Sequence, residues 1–122
     1  MIRLTTKTID PILKRMDAVF GMNKATDQEA VRAYAIALGS YDRLKVARAV
    51  GYCIDHNQFY PRPAEIREVL LRDTGLWEPP AEPMDEAMMW LMWVKGYTSE
   101  AEITEADITT VYKALGIPYE AA

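Results

Sequence analysis

The chain has little with which to do chemistry. It holds one cysteine, Cys53, and one histidine, His56, in 122 residues. One cysteine closes no disulfide within a monomer, so a reducing, cytoplasmic setting is expected. One histidine and one cysteine fall short of the usual zinc ligand count, and no His-x-x-His or Cys-x-x-Cys spacing occurs. Asp55-His56 reads instead as a helix end, with the imidazole on a terminal carbonyl. No Gly-rich phosphate loop is present, which excludes an ATPase of the P-loop type. No Ser/His/Asp set can be argued. The expectation is no catalytic residue, no metal, no cofactor and no enzymatic activity. Long apolar runs are also missing. The longest, Ala87 to Val94, is too short to span a bilayer, so no membrane partner is expected. The opening MIRLTTKTIDPILKRMDAVF has neither an apolar core nor a small-residue cleavage site, so no signal peptide is expected.

What is present is a soluble globular balance. Half the residues are hydrophobic and 26% are charged, which argues against disorder throughout. The net charge of −4 is unevenly spread. Residues 1–74 carry 12 Lys/Arg against 9 Asp/Glu, whereas residues 75–122 carry 2 against 9. The acidic half is a poor nucleic-acid binder and suits a basic protein surface, or shields the mildly basic half.

Apolar periodicity predicts helices throughout and no strand. The first spans about Asp10 to Phe20, with Pro11 early and a stripe of Ile9, Ile12, Leu13, Met16, Val19 and Phe20. The second opens on a capping box of Thr26 and Glu29, carries Ala30, Val31, Tyr34, Ala35 and Leu38 on one face, and stops at Gly39. Ser40 caps the third, which repeats Leu44, Ala47, Val50, Gly51 and Ile54 at helical spacing. Phe59-Tyr60-Pro61-Arg62-Pro63 then forces an extended turn, because each proline disfavours helix for the residue before it. Pro63 opens the fourth helix, Ala64 to Asp73, which Gly75 closes. Residues 76–83, with Pro79, Pro80 and Pro83, form a semi-rigid linker. A fifth helix follows from about Asp85 to Lys95. A sixth runs from Glu105 to Leu115, with Thr104 and Asp107 at its start and Ile108, Val111, Tyr112 and Leu115 as its stripe. The fold class is therefore all-α: a bundle of about four helices in residues 1–76, a Pro-rich linker at 77–83, and two further helices in an acidic segment, 84–122.

The pattern Phe59, Pro61, Pro63, Ala64, Glu65, Ile66, Arg67, following a helix, resembles the N-terminal domain of the bacteriophage helicase loader-and-inhibitor proteins. The likeness covers about residues 8–74. It implies binding to a replicative helicase rather than catalysis, and a folded N-terminal domain followed by a C-terminal part that engages the helicase.

Three constellations are candidates for contact. In the fifth helix, Met88, Met89, Trp90, Met92 and Trp93 make a segment that is apolar on every side and must be buried by something. It is either central in a six-helix core or a partner-binding or self-association helix, since Met adapts to irregular surfaces and Trp is enriched at interface hot spots. The turn residues Phe59, Tyr60, Pro61, Pro63, Ile66 and Arg67 form a platform; one reading has Phe59, Tyr60, Pro61 and Pro63 present a docking knob, while the expectation is that Phe59 packs inward and the prolines only set the geometry. Tyr41, Lys45, Arg48 and Tyr52 share a helix face, with Arg62 and Arg67 beyond it. That is a possible nucleic-acid face, although a solvated surface is the simpler reading. The resulting expectation is a non-enzymatic phage replication accessory protein that loads or inhibits a replicative helicase. A helical DNA-binding regulator and a self-associating structural protein are the alternatives.

Overall fold

A computed structural model describes residues 2–74 and 77–119, the side chains of Asp73 and Thr74 excepted. The expected helix stop at Gly75 and the linker residue Leu76 lie outside the described residues. The chain is all-α: α1 Thr6–Phe20, α2 Gln28–Leu38, α3 Arg43–His56, α4 Pro63–Val69, α5 Pro83–Lys95 and α6 Glu105–Leu115, with no strand among the described residues. Contacts divide it into two units, Met1–Glu78 and Pro79–Ala122.

In the first unit the side-chain caps decide where helices begin. α1 starts at Thr6 rather than Asp10, because Thr5 and Thr8 cap each other: the Thr8 amide donates to Thr5 Oγ1 at 3.3 Å and the Thr5 amide to Thr8 Oγ1 at 2.7 Å. Pro11 therefore sits inside the helix and removes one backbone donor there. α2 is capped by Asp27, not by Thr26. The Asp27 carboxylate accepts the Glu29 and Ala30 amides, while Thr26 is spent in a 3₁₀ turn, Lys24–Thr26, donating to the Asn23 carbonyl at 2.8 Å. α3 is capped by Asp42, not Ser40. Asp42 Oδ1 accepts the Leu44 amide at 2.8 Å, and Oδ2 accepts the Ile2 amide at 3.0 Å. Backbone bonds from Leu4 to Tyr41 and from Arg43 to Ile2 complete the attachment of the N-terminal segment.

α3 carries the widest buried face of the four helices. It packs against α1 and α4, and α2 packs against α1 and α4 as well. Its buried arc is wider than the expected stripe: Leu44, Val46, Ala47, Ala49, Val50 and Cys53 are buried, and Gly51 and Ile54 are half-buried. Ile9, Ile12, Leu13 and Met16 of α1, Tyr34 and Leu38 of α2, and Ile66 and Leu70 fill the space around it. Val19, expected in the α1 stripe, is 52% exposed. α4 is shorter than expected and passes into a π-helical turn, Leu70–Thr74. The first residues of the expected linker belong to this unit. The Arg48 guanidinium lies 4.4 Å from the Trp77 ring centre, and Lys45 Nζ is 3.7 Å from Glu78.

In the second unit α5 packs against α6. Gly96 and Gly116 end the two helices at φ 72° and 69°, a left-handed conformation that glycine adopts without a Cβ clash. Thr104 and Asp107 form the expected capping box, and Ser99 with Glu102 forms another at the 3₁₀ turn Glu100–Glu102. The fully buried apolar core is small: Ala87, Leu91 and Val111, with Met84, Met88, Tyr97 and Leu115 packed against it. Met89 and Val94 of α5 are exposed, so this helix is not covered on every side.

Candidate functional site

The turn from Phe59 to Pro63 is held from both sides. Tyr34 Oη donates to the Pro61 carbonyl at 2.6 Å, and Tyr60 Oη donates to Asp17 Oδ1 at 2.9 Å. The same Asp17 carboxylate accepts the Lys24 and Ala25 amides, so one side chain joins the end of α1, the 3₁₀ turn and the proline turn. Burial, then the nearby Glu65 carboxylate, pushes the Tyr34 phenol up to about 12. Burial and then the hydrogen bond to Asp17 raise Tyr60 further. Both phenols are thus kept as neutral donors.

That rigidity points Phe59 outward. Its side chain is 80% exposed, contrary to the expected inward packing; Tyr60 and Pro61 take the inward positions instead. Phe59 borders a recess of about 390 Å³ with Phe20, Met22, Lys24, Tyr60 and Arg62. Ile66 is buried and structural, and Arg67 is exposed.

The possible nucleic-acid face is engaged internally. Lys45 reaches Glu78, Arg48 covers Trp77, and the Tyr52 ring stacks on His56 at 4.0 Å with Arg72 on it. His56 Nδ1 is 2.9 Å from the Tyr52 carbonyl, as expected of a helix-end histidine. Arg62 lies apart from these residues, on the Phe59 recess.

The Met/Trp set of α5 splits between two faces. Met84, Met88 and Met92, spaced by one turn each, line a groove together with Met89. Half-buried Ile103 and Ile108, exposed Asp85 and Glu100, and Pro80 complete the lining of this open recess of about 660 Å³. Trp90 is two residues on from Met88, roughly 200° round the helix. It stacks with Trp93 at 5.8 Å and 18°. α5 is therefore a wall of a groove rather than a helix projecting all its large side chains one way.

The polar frame of this groove is built by Asp107. Its carboxylate accepts Tyr97 Oη at 2.7 Å and the Thr104 amide at 3.0 Å, with Lys95 Nζ at 3.9 Å. The Thr104 amide first, then Tyr97, hold Asp107 below the ordinary carboxylate range. Glu102 takes the Thr98 and Ser99 amides and fixes the turn that presents Glu100 and Ile103. Sequence reasoning missed Met84, Asp85, Glu100, Ile103 and Ile108 as groove residues. The i, i+4, i+8 spacing of Met84, Met88 and Met92 was the available signal. Among the described residues no group of three His, Cys, Asp or Glu side chains is placed to hold a metal ion. No helix there is long and apolar enough to cross a membrane.

Comparison of the chain with protein families, curated proteins and solved structures finds no match.

Proposed function

We propose that this chain is a non-enzymatic helical adaptor that binds a replicative DNA helicase and loads or restrains it. The observation that carries the docking part is the methionine groove. Four flexible, polarisable side chains line a recess that this unit leaves open, and such surfaces accommodate partner helices. The identity of the partner rests on the resemblance of Phe59 to Arg67 to the helicase loader-and-inhibitor proteins. The outward Phe59, fixed by Tyr34, Tyr60 and two prolines, gives the first unit a rigid apolar contact of its own. A rigid anchor loses little entropy on binding.

The test is a pull-down of the full chain with a purified hexameric replicative helicase from a candidate host. Met89 is 39% exposed, so Met89→Asp keeps the fold while interrupting the groove. Retention of wild type, with at least about tenfold weaker binding by Met89→Asp, is the expected result. Phe59→Ala reports whether the first unit contributes as well. Failure to retain any such helicase removes the partner from this reading.

A further inference from the structure

We propose that the methionine groove of residues 79–122 takes an amphipathic helix bearing Lys or Arg beside its apolar stripe, bound as the third helix of that unit. The inference deepens the adaptor reading and rests on it only for which protein supplies the helix. The shape favours a helix. Met84, Met88 and Met92 lie along about 12 Å of α5, the length of roughly two turns. Ile103 of the α5–α6 connection and Ile108 of α6 line the same groove. An apolar ridge of two turns is the complement of such a channel.

The core also calls for one more element. Ala87, Leu91 and Val111 are the unit's fully buried apolar side chains among the described residues, and Met84 and Met88 are partly buried against them. Two short helices with so small a core are marginal, because unit size limits the apolar area that folding can bury. A third helix seated on the methionines extends the core without displacing anything.

Charge selects the kind of helix. Asp85 and Glu100 stand on the rim, and neither has an ion pair among the described residues. Residues 79–122 carry two lysines against eight Asp and Glu, a net charge of −6. Lys95 is already directed at Asp107. The groove thus offers carboxylates without cations of its own, which suits a basic helix and repels an acidic one or an anionic membrane.

The test uses the full chain with methyl-labelled methionine and two designed peptides of about 18 residues, one with a Leu/Lys and one with a Leu/Glu pattern at the same spacing. The Leu/Lys peptide is expected to bind and shift the Met84, Met88, Met89 and Met92 methyl signals, leaving buried Met16 of the first unit unmoved. Its affinity falls by about tenfold or more as salt rises from about 50 to about 300 mM. Asp85→Lys combined with Glu100→Lys, both on exposed side chains, weakens it by about tenfold or more and lets the Leu/Glu peptide bind. That gain of binding shows that the variant is folded. Equal binding of the two peptides, or no movement of the four methyl signals, overturns the proposal. So do shifts that appear with protein concentration alone, which make a second copy the occupant. If the Leu/Lys peptide binds and no helicase does, the helicase reading falls and the groove assignment stands. If the helicase binds the double-lysine variant as well as wild type, the groove assignment falls and the adaptor stands.

Discussion

Asp17 does more for the first unit than its place near the end of α1 suggests. It accepts two backbone amides from the 3₁₀ turn and the Tyr60 hydroxyl from the proline turn. Asp17→Ala takes the acceptor from both backbone amides and leaves the Tyr60 hydroxyl only the Leu13 carbonyl, 3.3 Å away, and is expected to lower stability by about 2–4 kcal/mol, measured by urea unfolding. A loss below about 0.5 kcal/mol would show that water replaces the carboxylate without penalty. Tyr34 gives the matching alkaline signature. Its folded value, about 12, lies above the ordinary 10.0. Its contribution is complete below 10.0 and is lost as pH rises through about 12. Tyr34→Phe should therefore be destabilised at neutral pH and show a smaller further loss between those values. Cys53 behaves likewise as a residue of the interior. It is 1% exposed, and burial, then the nearby Glu65 carboxylate, pushes its thiol up to about 11. It should stay silent to a disulfide reagent in native buffer at pH 8 and react fully in denaturant; fast native labelling would contradict its burial.

At the scale of elements, the caps are the sharpest test, because sequence and structure choose different residues. Asp42→Ala removes the α3 cap and the acceptor of the Ile2 amide together, in a side chain 2% exposed. It should cost about 2–4 kcal/mol by chemical denaturation, whereas Ser40→Ala should stay within about 0.5 kcal/mol. The reverse order would restore Ser40 as the cap. The existence of all six helices was legible, since apolar spacing and Gly21, Gly39, Gly96 and Gly116 mark their bodies and ends. The starts were less so. Thr5 and Asp27 win over Asp10 and Thr26 through amides two or three residues on, whereas Asp42 wins over Ser40 by also accepting the Ile2 amide from a segment far away in sequence. The candidate surfaces were half legible for the same reason. Phe59 and Tyr60 are adjacent and chemically alike, and nothing local says that Asp17 will bind the second and turn the first outward. The methionines announced themselves by composition. The groove needed Glu100 and Ile103, which come from the α5–α6 connection, and Ile108 of α6.

For the molecule as a whole, the consequence of two units is unequal stability. The first has a core drawn from four helices; the second holds three buried apolar residues among the described ones, and Asp107 accepts the hydrogen bonds that tie its α5–α6 connection. The Asp107 carboxyl is held below the ordinary value of 3.8, first by the Thr104 amide and then by Tyr97. A group depressed in the folded state stabilises above its unfolded value, and that stabilisation is lost as pH falls through the folded one. Acidification below about 4 should therefore loosen residues 79–122, seen as loss of the dispersed Met84, Met88 and Met92 methyl signals while Met16 keeps its own. Asp107→Asn should remove much of that pH dependence and leave the second unit less ordered already at pH 7, since an amide oxygen that keeps the Tyr97 and Thr104 donors does so without charge and turns its NH2 toward Lys95. A helix bound in the methionine groove stabilises only the ordered form, so it should move the acid transition to lower pH in proportion to its free concentration. One concerted transition for all the methyl signals would mean that the units are coupled and that the small core of the second is not its limit.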